Sequence, residues 1–285
     1  NVTSDGDTIT LTTNTPFSKG RHVRHKADDF ANGDLMIPAG KRLGARDLGQ
    51  AVIAGHGALT VGSRAKIAIL STGDELVEPG AETLPHQIPA SNDVMVSAIL
   101  ANMSADCRSI NRIADNMDAL CAALESAQDC DIIVTIGGAS VGDHDLVAPA
   151  LEKLGANIDF WKVAIKPGKP LMAGKLGSSI ILALPGNPGS AFVTATLFLL
   201  PLVRFLTGAT DYLPPLKSAA ATSALPATAD RALFLRATIT GNAISVFDSQ
   251  DSAKQSVLAA ANALLMRPAH AGPLPEGAQV PYIPI

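Results

Sequence analysis

The fold is decided by residues 131–138, whose sequence is DIIVTIGG. A short, continuous apolar run that ends in two glycines is typical of a strand buried on both faces and closed by a tight turn. Similar runs alternate along the chain with segments of helical periodicity. The predicted strands are 66–70, 108–113, 131–136, 158–164 and 179–184, and the predicted helices are 92–103, 117–127, 145–154 and 189–206. This alternation predicts an α/β fold with a doubly wound, mainly parallel sheet.

Two further segments flank this α/β domain, which we place at residues 63–210. Residues 1–62 combine a hairpin around Asp5 and Gly6 with a helix at 45–54, and we expect them to be a partial β/α segment, the remnant of N-terminal domains. Residues 211–285 contain alternating strands at 231–239, 243–247 and 263–266, which predict a small, β-barrel-like C-terminal domain. Because the chain opens with Asn1 inside a strand-like stretch, we expect that an N-terminal part precedes it.

Composition excludes several classes of function. The chain has 285 residues, with 22 Lys and Arg against 26 Asp and Glu, so its net charge of −4 argues against a general nucleic-acid binder. The longest apolar run, 191–203, is too short to span a bilayer and predicts a buried core helix without a membrane partner. Three cysteines without metal-ligand spacing favour a cytoplasmic protein without a disulfide framework.

The chemistry is expected beyond the carboxyl ends of the strands, where an open parallel sheet binds its ligands. Four loops follow predicted strands there, and we expect all four to face one crevice. They are 71–76 (STGDEL), 137–143 (GGASVGD), 165–170 (IKPGKP) and 185–189 (PGNPG). Any one of them alone is more often an ordinary tight turn than a functional loop, but all four together indicate a binding site.

Each loop has residues suited to anions or cations. The glycines after residue 136 let the backbone donate N–H groups to an oxyanion, and Ser140 adds a hydroxyl. Lys166 and Lys169 bring two positive charges to one loop. The carboxylates suited to Mg²⁺ are Asp74, Glu75, Asp115, Asp143 and Asp145. The pair Asp74 and Glu75, and either of the last two, fit the start of a helix as well.

In order and spacing, these four loops resemble those of the molybdopterin molybdenumtransferases, the family of MoeA and the E domain of gephyrin. The resemblance extends over nearly the whole chain and implies a molybdopterin-binding fold. It implies a transferase of molybdenum cofactor biosynthesis that inserts molybdate into adenylylated molybdopterin and releases AMP with the help of Mg²⁺. It also implies a homodimer.

The resemblance assigns roles to individual residues. The implied catalytic residues are Asp74, Glu75, Asp115 and Asp145, and the implied metal ligands are Asp74, Glu75 and Asp29. The residues implied to bind molybdopterin are Thr72, Gly73, Gly137, Gly138, Ser140, Gly142, Asp143, Lys166, Lys169, Pro185, Gly186, Asn187, Arg236, Ser252 and Arg24. Where the family has a glycine three residues after the arginine, this chain has Ala27, which is unfavourable if φ is positive there.

Two other functions are compatible with part of the pattern. A molybdopterin adenylyltransferase would share the α/β domain and the loops at 137–138 and 185–188, but the additional C-terminal β domain argues against it. In a non-catalytic molybdopterin-binding scaffold, the site would persist while the dimer serves as an interaction platform. The presence of Asp74, Glu75, Lys166 and Lys169 argues against that reading.

Overall fold

The structure is a computed structural model that describes residues 2–12, 18–138 and 146–285. The chain divides into two compact units, one comprising Asn1–Pro38 and Leu43–Ala58, the other Ala39–Arg42 and Leu59–Ile285. In the first unit, β1 (Val2–Asp5) and β2 (Thr8–Leu11) form an antiparallel hairpin, and α1 (Ala45–Ile53) follows. The hairpin and the helix are where the sequence predicts them.

The second unit contains most of the secondary structure. Its first strands are β3 (Ala65–Thr72), β4 (Leu76–Val77), β5 (Ile88–Pro89), β6 (Ala105–Ile113), β7 (Ile132–Ile136), β8 (Asn157–Trp161), β9 (Ile165–Lys166), β10 (Met172–Leu176) and β11 (Ser179–Leu184). Six of them form one sheet in the order β6-β3-β7-β11-β10-β8. The pairs among β6, β3, β7 and β11 are parallel, and β10 runs antiparallel to both of its neighbours. The predicted mainly parallel sheet is therefore confirmed.

Strand β7, which contains the apolar part of the 131–138 stretch, lies at the centre of this sheet. Every residue of β7 is buried, and the strand pairs in parallel with β3 on one side and β11 on the other. Ile132, Ile133 and Val134 are completely inaccessible, and each such side chain contributes roughly 1.5–3 kcal/mol by leaving water. A strand that is buried on both faces needs mostly apolar residues, which explains why four of the five residues of β7 are Ile or Val and only Thr135 is polar.

Helices cover both faces of the sheet. They are α2 (Asn92–Leu100), α3 (Met117–Ser126), α4 (Val147–Lys153), α5 (Pro188–Thr194), a π-helical segment (Ala195–Leu199) and α6 (Leu200–Leu206). Side chains of α3 and α4 pack with Ala68 and Ile133 on one face, and those of α2, the π-helical segment and α6 pack with Ile67 and Ile132 on the other. This layering confirms the doubly wound fold.

The helix from Pro188 to Leu206 is long and apolar enough to cross a membrane by length and composition. However, 56% of its apolar 18-residue window is buried inside the protein, and Ala195, Leu199 and Val203 lie in the core against the sheet. Pro201 has no N–H to donate, and the turn before it widens into the π-helical segment that accommodates the missing bond. The helix is thus the core helix that the sequence predicts.

Residues after Leu206 form a closed barrel. Its elements are β12 (Lys217–Ala221), β13 (Ala232–Thr240), β14 (Ala243–Val246), α7 (Gln255–Ala260), β15 (Ala263–Arg267) and β16 (Gln279–Pro284). The sheet closes because β14 pairs with both β12 and β13, so five strands form a ring around a core that includes Ala237 and Leu265. The β-barrel-like domain is confirmed, while the boundaries 63–210 and 211–285 stay predictions.

The strands predicted from the sequence differ from the structure at one position and do not include several strands. The strand expected at 158–164 ends at Trp161, because Lys162 takes a left-handed φ of 74°. The dipeptide of β9 then pairs with β13 and so extends the barrel sheet. Strands β10, β12 and β16 were not predicted. Their sequences, MAGKL, KSAAA and QVPYIP, are rich in small residues or interrupted by proline and lack a clear alternation.

In the first unit, Ala27 does adopt the left-handed conformation, with φ of 65°. Replacing Ala27 with Gly should slow hydrogen exchange at the Asp28 amide, which donates to the His25 carbonyl at 3.3 Å. The expected slowing is about two- to fivefold, since relief of about 1–2 kcal/mol of strain exceeds the added entropy of glycine. Native-state exchange measured by NMR checks this, and faster exchange would contradict it. The control, Ala31→Gly, changes a residue without positive φ and should not slow exchange.

Candidate active site

The carboxyl ends of β3, β7 and β11 are in direct backbone contact. Gly137 follows β7 with φ of 88°, and a Cβ placed on it would lie 2.9 Å from the Thr72 carbonyl oxygen. Its N–H donates to the Leu184 carbonyl at 3.3 Å. A Cβ on Gly186 would make an ordinary 3.6 Å contact with the Gly137 Cα. Only glycine fits at position 137, because a side chain would separate the strand ends.

These strand ends form the floor of a cleft with a volume of ≈ 80 Å³. Three of the four predicted loops contribute to it. The lining residues are Ser71, Thr72, Glu75, Leu76, Ile88, Pro89, Ala90, Ser91, Asn92, Asp93, Ile136, Gly137, Gly186 and Pro188. The segment 88–93 was missed in the sequence, because a Ser-Asn-Asp run before a helical segment is equally typical of a helix start.

Two carboxylates join the ends of β3 and β6. The Asp74 amide donates to Asp115 Oδ2, and the Asp115 amide donates to Asp74 Oδ1, each at 3.1 Å. The Thr72 hydroxyl donates to Asp115 Oδ1 at 2.6 Å. This reciprocal arrangement fixes both backbones and holds two negative charges at the same edge of the sheet, as the sequence predicts for these residues.

Glu75 lies beside this pair at the mouth of the cleft. A Cβ on Gly73, whose φ is 147°, would come within 2.6 Å of Glu75 Oε2. The Glu75 carbonyl accepts the Ile88 N–H at 2.8 Å, which ties the loop to the segment before α2. Glycine at position 73 therefore lets the Glu75 carboxylate fold back over the end of β3.

The loop with the two lysines lies at the edge of the barrel and does not line the cleft. Lys166 belongs to β9, which pairs with β13, and both Lys166 and Lys169 are exposed. Gly168 has φ of 109°, and a Cβ there would come within 2.5 Å of Thr194 Cγ2. The expected single crevice is thus formed by three loops, with the lysine loop against the helix that begins at Pro188.

The start of this helix also contacts the barrel. The Gly189 N–H donates to the Ser252 carbonyl at 2.8 Å, and Asn187 Nδ2 donates to Ser252 Oγ at 3.2 Å. Arg236 is 1% exposed, and burial lowers the pKa of its guanidinium while the nearby Asp251 acts in the opposite direction. Gly186 and Asn187 are adjacent in sequence, so the cleft and the Ser252 contact share one loop.

Several other residues are predicted to belong to the site. Ser140, Gly142, Asp143 and Asp145 lie outside the described residues. Gly138 is described and has φ of 58°. Arg24 and Asp29 belong to the first unit, and their roles stay predictions.

Comparisons with known proteins agree with this architecture. Residues 68–204 match the family described as "Probable molybdopterin binding domain", and residues 218–285 match "MoeA C-terminal region (domain IV)". A protein of Mycobacterium tuberculosis named "Molybdopterin molybdenumtransferase 2" is 31% identical over 97% of this chain and 70% of its own length. The chain belongs to the molybdopterin molybdenumtransferase family. The predicted family, a transferase of molybdenum cofactor biosynthesis, is thereby confirmed.

Two further members of the family share its sequence or fold. A molybdopterin molybdenumtransferase of Haemophilus influenzae is 35% identical over 76% of this chain and 54% of its own length. The crystal structure of a MoeA protein from Pyrococcus horikosii superimposes with a TM-score of 0.78 at 27% identity, over 90% of this chain and 63% of that one. This chain thus spans between about half and 70% of these relatives.

The contact between strand ends predicts the effect of one substitution. Gly137→Ala should lower the free energy of unfolding of the second unit by about 2 kcal/mol or more, because it adds both left-handed strain and a clash with the Thr72 carbonyl. Urea denaturation followed by the fluorescence of Trp161, the single tryptophan, measures the change. Gly272→Ala is the control, since its Cβ meets no atom within 4 Å. Equal stability of the two variants would contradict the account.

Proposed function

We propose that this chain catalyses the insertion of molybdate into adenylylated molybdopterin, with cleavage of the phosphoanhydride and release of AMP. The observation that supports this most strongly is that Asp74 and Asp115 are hydrogen-bonded to each other directly beside Thr72 and Glu75, which line the cleft at the strand ends. Family membership supplies the substrate class. Cationic side chains beside α5 and carboxylates beside the cleft supply the charges that the reaction of two anions requires.

Both substrates are anions, so the site must reduce their mutual repulsion. Lys166 and Lys169 are exposed on one loop beside α5, where their charges can pair with a phosphate or with molybdate. The N-terminus of the long helix at Pro188 adds the positive end of a helix dipole. Ser252 offers a hydroxyl on the barrel side of the same helix, and the buried guanidinium of Arg236 lies near Asp251, the residue before Ser252.

The carboxylates of Asp74 and Glu75 fit a magnesium ion. No group of three or more Asp, Glu, His or Cys that could hold a metal alone occurs in the described part of the chain. Mg²⁺ does not need one, because it usually keeps several waters and binds one or two carboxylates together with substrate phosphates. Asp74 and Glu75 would be its protein ligands, and the ion would neutralise phosphate charge. Asp29 belongs to the first unit, and its role as a metal ligand stays a prediction of the family resemblance.

The proposal includes a cellular compartment and an oligomeric state. We place it in the cytoplasm, which suits three free cysteines. We also propose a homodimer, as the family resemblance implies. Helix α1 exposes Leu48, Val52 and Ile53, and apolar side chains grouped on one short helix are compatible with a subunit contact.

Glu75→Gln should leave the affinity for adenylylated molybdopterin within about threefold, while the rate of molybdate insertion falls by about 10² or more. The reason is that the amide keeps the shape of the side chain but removes the charge that would hold Mg²⁺ near the reacting phosphate. Single-turnover release of AMP, measured with and without Mg²⁺, checks the rate, and calorimetry checks the affinity.

The matched control is Glu82→Gln, an exposed carboxylate outside the cleft, which should react at the rate of the unaltered chain. Consumption of ATP without AMP release from the adenylylated substrate would favour an adenylyltransferase instead. Binding of the substrate with no turnover by the unaltered chain, extended to the full length of its relatives, would favour a scaffold. Either result contradicts the proposal.

A further inference from the structure

Three polar side-chain atoms in the cleft have no hydrogen-bond partner within the described ranges. They are Ser71 Oγ, Asn92 Oδ1 and Asp93 Oδ1. Ser71 is 2% exposed and Asp93 is 5% exposed, yet both line the cleft. Buried polar atoms are almost always paired, because an unpaired one costs about 1–3 kcal/mol. Three of them around one small cleft therefore indicate a group that binds from outside the chain.

The helix start alone does not account for Asp93. A carboxylate in the first turn of α2 favours the helix dipole, but such residues usually remain exposed to water. Ser91 precedes the helix and makes no side-chain capping bond, so Asp93 is not part of a capping arrangement either. Its burial with an unpaired oxygen in a cleft goes beyond what helix stability requires.

The orientation of Asn92 is settled by its neighbour. Asn92 Nδ2 donates to the Gly186 carbonyl at 2.6 Å, and a carbonyl can only accept, so the amide oxygen must be the unpaired atom. The cleft consequently presents two acceptor oxygens, from Asn92 and Asp93, together with the hydroxyl of Ser71. These adjacent acceptors match a ligand edge that carries adjacent N–H groups.

We propose that Ser71, Asn92 and Asp93 form the subsite that recognises the aminopyrimidinone edge of a pterin. This inference rests on the proposed function, and it names the part of the substrate that the cleft holds. The 2-amino group and the neighbouring ring N–H are adjacent donors, and a carboxylate oxygen beside an amide oxygen can accept from both. The phosphate and the dithiolate sulfurs are anionic, and Asp93 would repel them.

The size of the cleft agrees with an edge rather than a whole ligand. A volume of ≈ 80 Å³ is well below the roughly 300–1,000 Å³ that enclose a complete small molecule. The pterin edge would enter between α2 and the ends of β3 and β7. The remainder of the substrate would extend past Glu75 and Gly186 towards the charged side chains.

The test is a fluorescence titration of the full chain with 6-hydroxymethylpterin, which has neither phosphate nor dithiolate. Asp93→Asn should weaken binding by about tenfold or more, since it replaces an accepting oxygen with an amide and removes the charge. Ser71→Ala should weaken it by about threefold. Both variants should melt at the same temperature as the unaltered chain or higher, because no internal hydrogen bond is lost.

Asp118→Asn is the matched control, because Asp118 is also an acidic residue in the first turn of a helix but is exposed; it should bind the pterin unchanged. The corresponding lumazine, with an oxygen in place of the 2-amino group, should bind the unaltered chain weakly and be insensitive to Asp93→Asn. AMP, the other source of an aromatic amino group, should be equally insensitive.

Four results would overturn the inference. The first two are no binding of the pterin by the unaltered chain, and equal pterin affinity of the Asp93→Asn variant and the unaltered chain. The other two are binding of AMP, rather than of the pterin, that depends on Asp93, and competition between Mg²⁺ and the pterin that Asp93→Asn abolishes. The proposed function is judged separately by AMP release. Turnover with an unchanged KM in Asp93→Asn would reject the pterin subsite and leave molybdate insertion standing. Pterin binding that depends on Asp93, without any turnover, would support the pterin subsite and reject molybdate insertion.

Discussion

The close approach of Gly137 to the Thr72 carbonyl is the contact on which the rest of the site depends. It brings the ends of β3, β7 and β11 together without an intervening side chain, and the cleft exists because those ends meet. The acidic residues then follow from chain geometry, since Asp74 and Asp115 come directly after paired parallel strands and exchange backbone hydrogen bonds. Because every residue of β7 is buried, the loop that follows it starts from a fully packed strand.

The barrel belongs to the same arrangement through the start of one helix. Gly189 and Asn187 contact Ser252, and β9 joins the barrel sheet two residues before Gly168 packs on Thr194. The lysine loop and the Ser252 loop therefore both lie against the helix that begins at the cleft. The two kinds of charge are therefore separated on either side of the start of this helix. Oxygen acceptors and carboxylates lie at the strand ends, and cationic groups lie towards the barrel.

Sequence reasoning recovered what depends on local pattern. The apolar runs located β3, β7 and β11, and the loop motifs located Asp74, Glu75 and Gly137, because strand ends in a parallel sheet necessarily share an edge. It failed where tertiary pairing decides the outcome. Strand β10 contains Gly174, whose added Cβ would clash with the backbone of β8, and such a requirement leaves no periodic signal. Asp93 was overlooked because its burial, and not its position at a helix start, distinguishes it. The lysine loop was placed in the cleft because β9, only two residues long, gave no sign of pairing with a distant strand.

The central claim is that molybdopterin binds at the meeting point of these strand ends. Hydrogen–deuterium exchange of the chain with and without molybdopterin tests it most directly, because amide protection is measured segment by segment. The account predicts that amide protection rises in 71–76, 88–93, 137–138 and 186–189. Protection of the barrel strands β12 and β16 should not change. Protection confined to the barrel or to the first unit, with no change at those strand ends, would contradict it.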